Sequence, residues 1–208
     1  LTGKMNRAHA ALFQSLGLTP SQEEAMKELL VGHSMEGIQT GFLWMLGNHE
    51  ESSARTIAAR EQLHGEIENL LGPEKLAEYE YWDDSRNERR SVAKLNTALG
   101  DDPLDDTTSD ELVDMMYDIR GEFPKLDYLS KPENFSPRKI TPNHREDIME
   151  QVKNLHTRFE EEAVQILNPD QLAQYEVSLR QQRKELNGFM KFTHGMFNRD
   201  GPEPDTSE

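Results

Sequence analysis

Several residue groups in this chain could do chemistry, and each is an incomplete set. His33 and Glu36 lie three apart, so a helix carries both on one face, where they could share a divalent cation. His49-Glu50-Glu51 is a second His–carboxylate grouping. One His and one carboxylate fall short of the ligand sets of firm metal sites, so solvated helix faces are expected and no metal is assigned. Met35, Met45, Met115, Met116, Met190 and Met196 could offer thioethers to soft copper. Methionine at helical spacing more often fills a core or makes an adaptable apolar surface. Asp83, Asp84, Arg86, Glu88, Arg89 and Arg90 form a dense charged run after Tyr81-Trp82. Local ion pairs on a solvated face account for it; alternatively Arg86, Arg89 and Arg90 hold a carboxylate within a bundle.

No nucleophile, base and orienter can be assembled from these groups. The dinucleotide, P-loop, nucleophile-elbow and HExxH zinc motifs are all missing. The expectation is a non-enzymatic protein without a cofactor. Cysteine is absent, which removes disulfides, thiolate zinc ligands and Cys nucleophiles. Acidic residues outnumber basic ones 39 to 23, for a net charge of −16. Phosphate backbones and anionic lipid are repelled by such a surface, so nucleic-acid binding is not expected. Hydrophobic residues make up 35% of the 208. Long helices in thin bundles tolerate that ratio better than a deep α/β core does. No stretch approaches the roughly 20 apolar residues of a membrane span. The sequence opens at Leu1. A cleaved signal peptide, a removed anchor and an artificial start all fit, and a removed export or anchor segment is favoured.

The elements that would carry these groups read as helices. A short helix ends near Leu18 at Gly17. Thr19 is a good N-cap, Pro20 fits the first helical position, and Met26, Leu29 and Leu30 give a helical face. Between Val31 and Gly47 four glycines interrupt the pattern. Each costs roughly 1 kcal/mol against Ala. Such a run suggests close helix approach, a bend or a mobile segment. Ile38, Phe42, Met45 and Leu46 still share one stripe. A long helix over 48–71 should face Ile57, Leu63, Ile67 and Leu70 inward. A second, with Leu76, Tyr79, Val92, Leu95 and Leu99, should run to Gly100. A shorter one over 107–120 carries Leu112, Met115, Met116 and Ile119. Residues 121–143 hold four prolines and several aromatics, and so predict a long packed loop. Ile148, Val152, Leu155, Phe159, Ala163 and Ile166 mark the clearest seam, over 143–167. The last helix carries Leu172, Tyr175, Leu179, Leu186 and Met190. Residues 200–208 read as a disordered tail.

Leu70–Glu80 and Ile166–Glu176 match closely, with Leu, Pro, Leu, Ala, Tyr and Glu identical at corresponding places. The expectation is an all-α, elongated bundle of long antiparallel helices in two pseudo-repeats. The first half covers 1–100 and the second 101–199.

Leu18-Thr19-Pro20-Ser21-Gln22 is a complete LTxxQ motif. Leu167-Asn168-Pro169-Asp170-Gln171 nearly matches it, and Leu71-Gly72-Pro73-Glu74-Lys75 is a degenerate third copy. The chain in this respect resembles the LTxxQ proteins of the bacterial periplasm, the CpxP and Spy group. The resemblance covers helix starts, not the whole chain. It implies an all-helical envelope protein, often a dimer, acting as an ATP-independent chaperone or stress-sensing accessory. A lesser similarity is to the lipase-specific foldases, whose Arg-x-x-Phe-Asp-Tyr signature is missing here. The motif residues are Leu18, Thr19, Gln22, Leu71, Pro73, Leu167, Pro169 and Gln171.

The functional expectation is a periplasmic or envelope binding protein, chaperone-like or regulatory, for a protein client or partner, with a homodimer in view. The alternatives are a structural adaptor for one partner, a metal or small-ligand sensor, and a foldase-like steric chaperone. The candidate protein-binding residues are Met35, Ile38, Phe42, Trp44 and Met45, with Phe123, Tyr128 and Phe135 of the loop. Around Phe42 the apolar residues cover more of the helix than one buried face needs.

Overall fold

The structure is a computed structural model that describes residues 12–126 and 141–197. Every regular element among the described residues is a helix, so the chain is all-α. We number them α1 (Pro20–Met45), α2 (His49–Leu71), α3 (Pro73–Asp84), α4 (Arg86–Leu99), α5 (Asp106–Gly121), α6 (Pro142–Ala163) and α7 (Pro169–Phe197), with a 3-10 turn at Pro124–Leu126. The expected aromatics Tyr128 and Phe135 and the tail 200–208 lie outside the described residues.

The chain divides into two compact units at Ser85, within the first of the two halves read from the sequence. Sequence periodicity predicts one helix through this point. Instead Ser85, fully buried, interrupts it between α3 and α4.

In the first unit, a helical turn over 12–15 precedes α1. It closes with Gly17 at φ 55, the left-handed conformation that glycine adopts without a Cβ clash. Leu12, Phe13 and Leu16 pack with Met26 and Leu30 of α1, Leu63 and Ile67 of α2, and Tyr79 of α3. Of the four glycines that suggest close approach, a bend or a mobile segment, the three within α1, Gly32, Gly37 and Gly41, leave it unbroken through 26 residues. It ends in a Schellman turn. The Gly47 N–H donates to the Trp44 carbonyl and the Asn48 N–H to that of Leu43, both at 3.0 Å. Gly47 takes φ 87 there. The short connection turns the chain back, and α2 runs antiparallel to α1. Ile57 is exposed rather than inward, a correction to its expected place. The small residues Ser52 and Ala59 take the buried face of α2, and Ile57 falls on the opposite side of the helix.

In the second unit, Val92 and Leu95 of α4, Leu112, Met116 and Ile119 of α5, Ile148, Val152 and Phe159 of α6, and Tyr175, Leu179 and Met190 of α7 form one core. The α6 seam is buried as expected from Ile148 to Ala163. The helix stops at Ala163, four residues before the expected end, and tightens through the Ile166 N–H to Ala163 carbonyl bond of 3.0 Å. Tyr79 and Tyr175, at corresponding places in the two matching segments, are both buried.

Candidate protein-binding surface

The α1–α2 hairpin has two apolar seams on one helix. The inner seam begins with Met26 and Leu30 of α1 against Ile67 and Leu63 of α2. Towards the tip it turns small and polar. Thr40, Ser52 and Ala59 are the buried residues there, and the Ser52 hydroxyl donates to the Thr40 carbonyl at 2.8 Å. Large apolar side chains at the tip point outward instead. Val31 is 39% exposed, Met35 52%, Ile38 51%, Phe42 63%, Met45 73% and Leu46 75%. From Val31 to Met45 the spacings are four, three, four and three residues, the repeat of a helix-packing seam. At 100° per residue these side chains lie within one stripe, nearly opposite Thr40. A stripe of this extent is more than the singly scattered apolar side chains of an ordinary surface.

Met35, Ile38, Phe42 and Met45, all named from the sequence, are thus brought together. Trp44 is not among them. It is half-buried and meets the His49 ring edge-on at 5.3 Å between centroids. Phe123 is half-buried against the core of the second unit. Val31 and Leu46 complete the stripe. Leu46 shares the stripe by sequence periodicity as well. Val31 is not among the candidate residues read from the sequence, although its four-residue spacing from Met35 is the signal that places it here. A second exposed stripe, also missed, lies at the end of α7, where Phe189, Phe192 and Met196 are all at least half exposed. Their i, i+3, i+7 spacing was its sequence signal.

The motif residues serve helix starts. The Gln22 N–H donates to Thr19 Oγ1 at 3.3 Å, and the Thr19 N–H donates to Gln22 Oε1 at 3.1 Å. This reciprocal capping box satisfies two backbone donors that the first turn leaves open. Asn168 and Gln171 make the same pair at 3.0 and 3.1 Å. Pro20, Pro73 and Pro169 open their helices, where the missing N–H costs nothing. Leu18 and Leu71 are half-buried against the core of the first unit, and Leu167 is buried in that of the second. Thr19→Ala should therefore cost about 1 kcal/mol of stability. Urea unfolding checks this; a cost near zero would mean that the Thr19 cap holds nothing.

The charged run after Trp82 is not a solvated face throughout. Glu88 is buried and its Oε1 lies 2.9 Å from Arg120 Nε of α5. The run supplies the buried carboxylate, while the guanidinium comes from another helix. Arg89 instead meets Asp110 at 3.6 Å, and Arg86 and Arg90 are exposed. Two further polar groups lie in the same core. His156 stacks on Phe159 and is held down to about 4 by burial, with Arg183 adding to the effect and a hydrogen bond to the Leu179 backbone opposing it. It is a neutral imidazole at pH 7. Burial pushes the Tyr175 hydroxyl far above its ordinary range, and Glu160 and Glu88 push it further.

Among the described residues no three His, Asp or Glu side chains converge as a metal site. No described helix is long and apolar enough to cross a membrane. No family model, curated protein or solved structure matches the chain.

Proposed function

We propose that this chain is a non-enzymatic helical binding protein of the cell envelope, chaperone-like or regulatory, which docks amphipathic segments of other proteins on the outer seam of α1. One observation carries the reading: six large apolar side chains at helix-packing spacing stand exposed along 31–46. Burying such a stripe against a partner helix gains roughly 25 cal/mol per Å² of apolar area. The spacing suits a helix laid into it, read through i, i+3, i+4 and i+7 anchors. Methionine at two of the anchor points adapts to varied clients. The LTxxQ helix starts and the absence of Cys are in keeping with an envelope location.

The test is binding of a fluorescent amphipathic helical peptide, with suppression of aggregation of an unfolding client alongside. The double substitution Ile38→Asp and Phe42→Asp should weaken peptide binding at least about tenfold, the equivalent of about 1.4 kcal/mol. Helicity by far-UV circular dichroism should stay nearly unchanged, because both side chains already face solvent. Unchanged binding and unchanged aggregation suppression would place the working surface elsewhere.

A further inference from the structure

The sulfur of this chain is all thioether. It holds nine methionines and no cysteine, so no thiol competes with them for an oxidant. The fold sorts these side chains. Met26, Met116 and Met190 are buried, each inside a core. Met115 and Met149 are partly buried against the core of the second unit. Met5 lies outside the described residues. Among the described residues, the exposed methionines are Met35, Met45 and Met196. Each of the three stands on an exposed apolar stripe, two on the outer seam of α1 and one at the end of α7.

Position makes the α1 pair consequential. Met35 stands about one helical turn before Ile38, and Met45 about one turn after Phe42. The two thioethers bracket the centre of the seam, roughly 15 Å apart along the helix axis. Both side chains are open to a small oxidant while the fold stays closed. With hydrogen peroxide, the sulfur lone pair attacks one peroxide oxygen; an S–O bond forms and the O–O bond breaks. The transferred oxygen gives its proton to the departing hydroxide, which leaves as water. The sulfur is oxidised by two electrons, from thioether to sulfoxide, and the peroxide is reduced. A flexible apolar side chain has become a polar one. An apolar helix face laid over it would bury the new oxygen acceptor without a donor, which opposes docking. The buried methionines keep the cores as they were.

We propose that Met35 and Met45 form an oxidation switch: a peroxide converts them to sulfoxides, and the outer seam then releases the helices it docks. Reduction resets it. A dithiol reductase removes the oxygen as water while its dithiol becomes a disulfide, with one enzyme class for each sulfoxide epimer. Leucine at both places would keep the stripe apolar and could not be switched. This inference rests on the reading of the seam as a docking face and adds its regulation.

The test is limited hydrogen peroxide treatment of the full chain, removal of the peroxide with catalase, and peptide mass mapping. Met35, Met45 and Met196 should each gain one oxygen while Met26, Met116 and Met190 stay thioethers and helicity is unchanged. Affinity is then read with a fluorescent amphipathic helical peptide that lacks Met, Cys and Trp. Oxidation should raise its Kd at least about tenfold, because two anchor side chains lose their apolar character. Both classes of sulfoxide reductase together should restore it. Met196→Leu should keep the full response. In Met35→Leu with Met45→Leu, the Kd of the variant should not respond to peroxide, while oxygen gained at Met196 shows that the reagent acted. Sulfoxide at the buried methionines as early as at Met35 and Met45 overturns the proposal, as does a response that persists in the double leucine variant. Equal binding before and after complete oxidation of both residues overturns the switch and leaves the docking reading standing. A peptide that fails to bind the unoxidised chain overturns the docking reading, and the switch falls with it.

Discussion

Arg120→Ala is expected to destabilise the second unit by about 3–5 kcal/mol, the cost of breaking a buried ion pair by removing one partner. Glu88 is 4% exposed, and the Arg120 guanidinium reaches it at 2.9 Å while its own side chain is largely covered. Without Arg120 the buried carboxylate loses the guanidinium that lies 2.9 Å from it. A loss of this size is a large fraction of the stability of a small helical unit. The double substitution Glu88→Leu and Arg120→Leu should be milder than Arg120→Ala, because it removes both charges of the buried pair together. Urea unfolding of the three proteins measures this. Equal losses in the single and double variants would mean that the packing of the Arg120 stem, not its charge, is what the core needs.

The second large effect is on pH dependence. His156 titrates at about 4 in the folded chain, against 6.5 for the free side chain, chiefly because it is buried. Between those values the unfolded chain binds a proton that the folded chain does not, so stability rises with pH there. The folded state is undiminished above 6.5. It loses stability as pH falls towards 4, by roughly 3 kcal/mol in total from this group. The charged groups around it act in the same direction: Arg183 of α7 repels the imidazolium, and Glu160 lies 3.7 Å from that guanidinium. His156→Leu removes the titration while keeping an apolar side chain against Phe159. The difference in unfolding free energy between the two proteins should shrink or change sign from pH 7 to pH 4.5. A constant difference across that range would show that His156 titrates in the folded chain as it does in the unfolded one.

The helices and their starts were legible because they are local. A capping box is closed by residues three apart, so Thr19-Pro20-Ser21-Gln22 marks the start of α1 without reference to anything distant. Gly17, Gly47 and Gly72 end helices where a positive φ is needed, and they too act on near neighbours. The inward seam of α6 was legible because a periodic apolar stripe must be buried somewhere. The same reasoning misplaced Ile57. Periodicity says which residues share a face, but not which of two faces meets another helix. In the α1–α2 hairpin the small residues Thr40, Ser52 and Ala59 took the inside, and the large ones Ile38, Phe42 and Met45 were left out. That inversion depends on how closely the two backbones approach, which no spacing records.

From sequence alone came the all-α class, the capped helix starts, and the set Met35, Ile38, Phe42 and Met45 as a surface in excess of one buried face. The tertiary structure decided the rest, because it depends on residues far apart in the chain. It put the break between compact units at Ser85, where burial of a serine interrupts a continuous helical pattern. It paired Glu88 with Arg120, 32 residues away, in a core that no local charge pattern could indicate. It turned Trp44 towards His49 and away from the stripe that its neighbours form. Local hydrogen bonding and φ preference are written within a few residues. Which face is buried is settled only when helices compete to cover one another's apolar area.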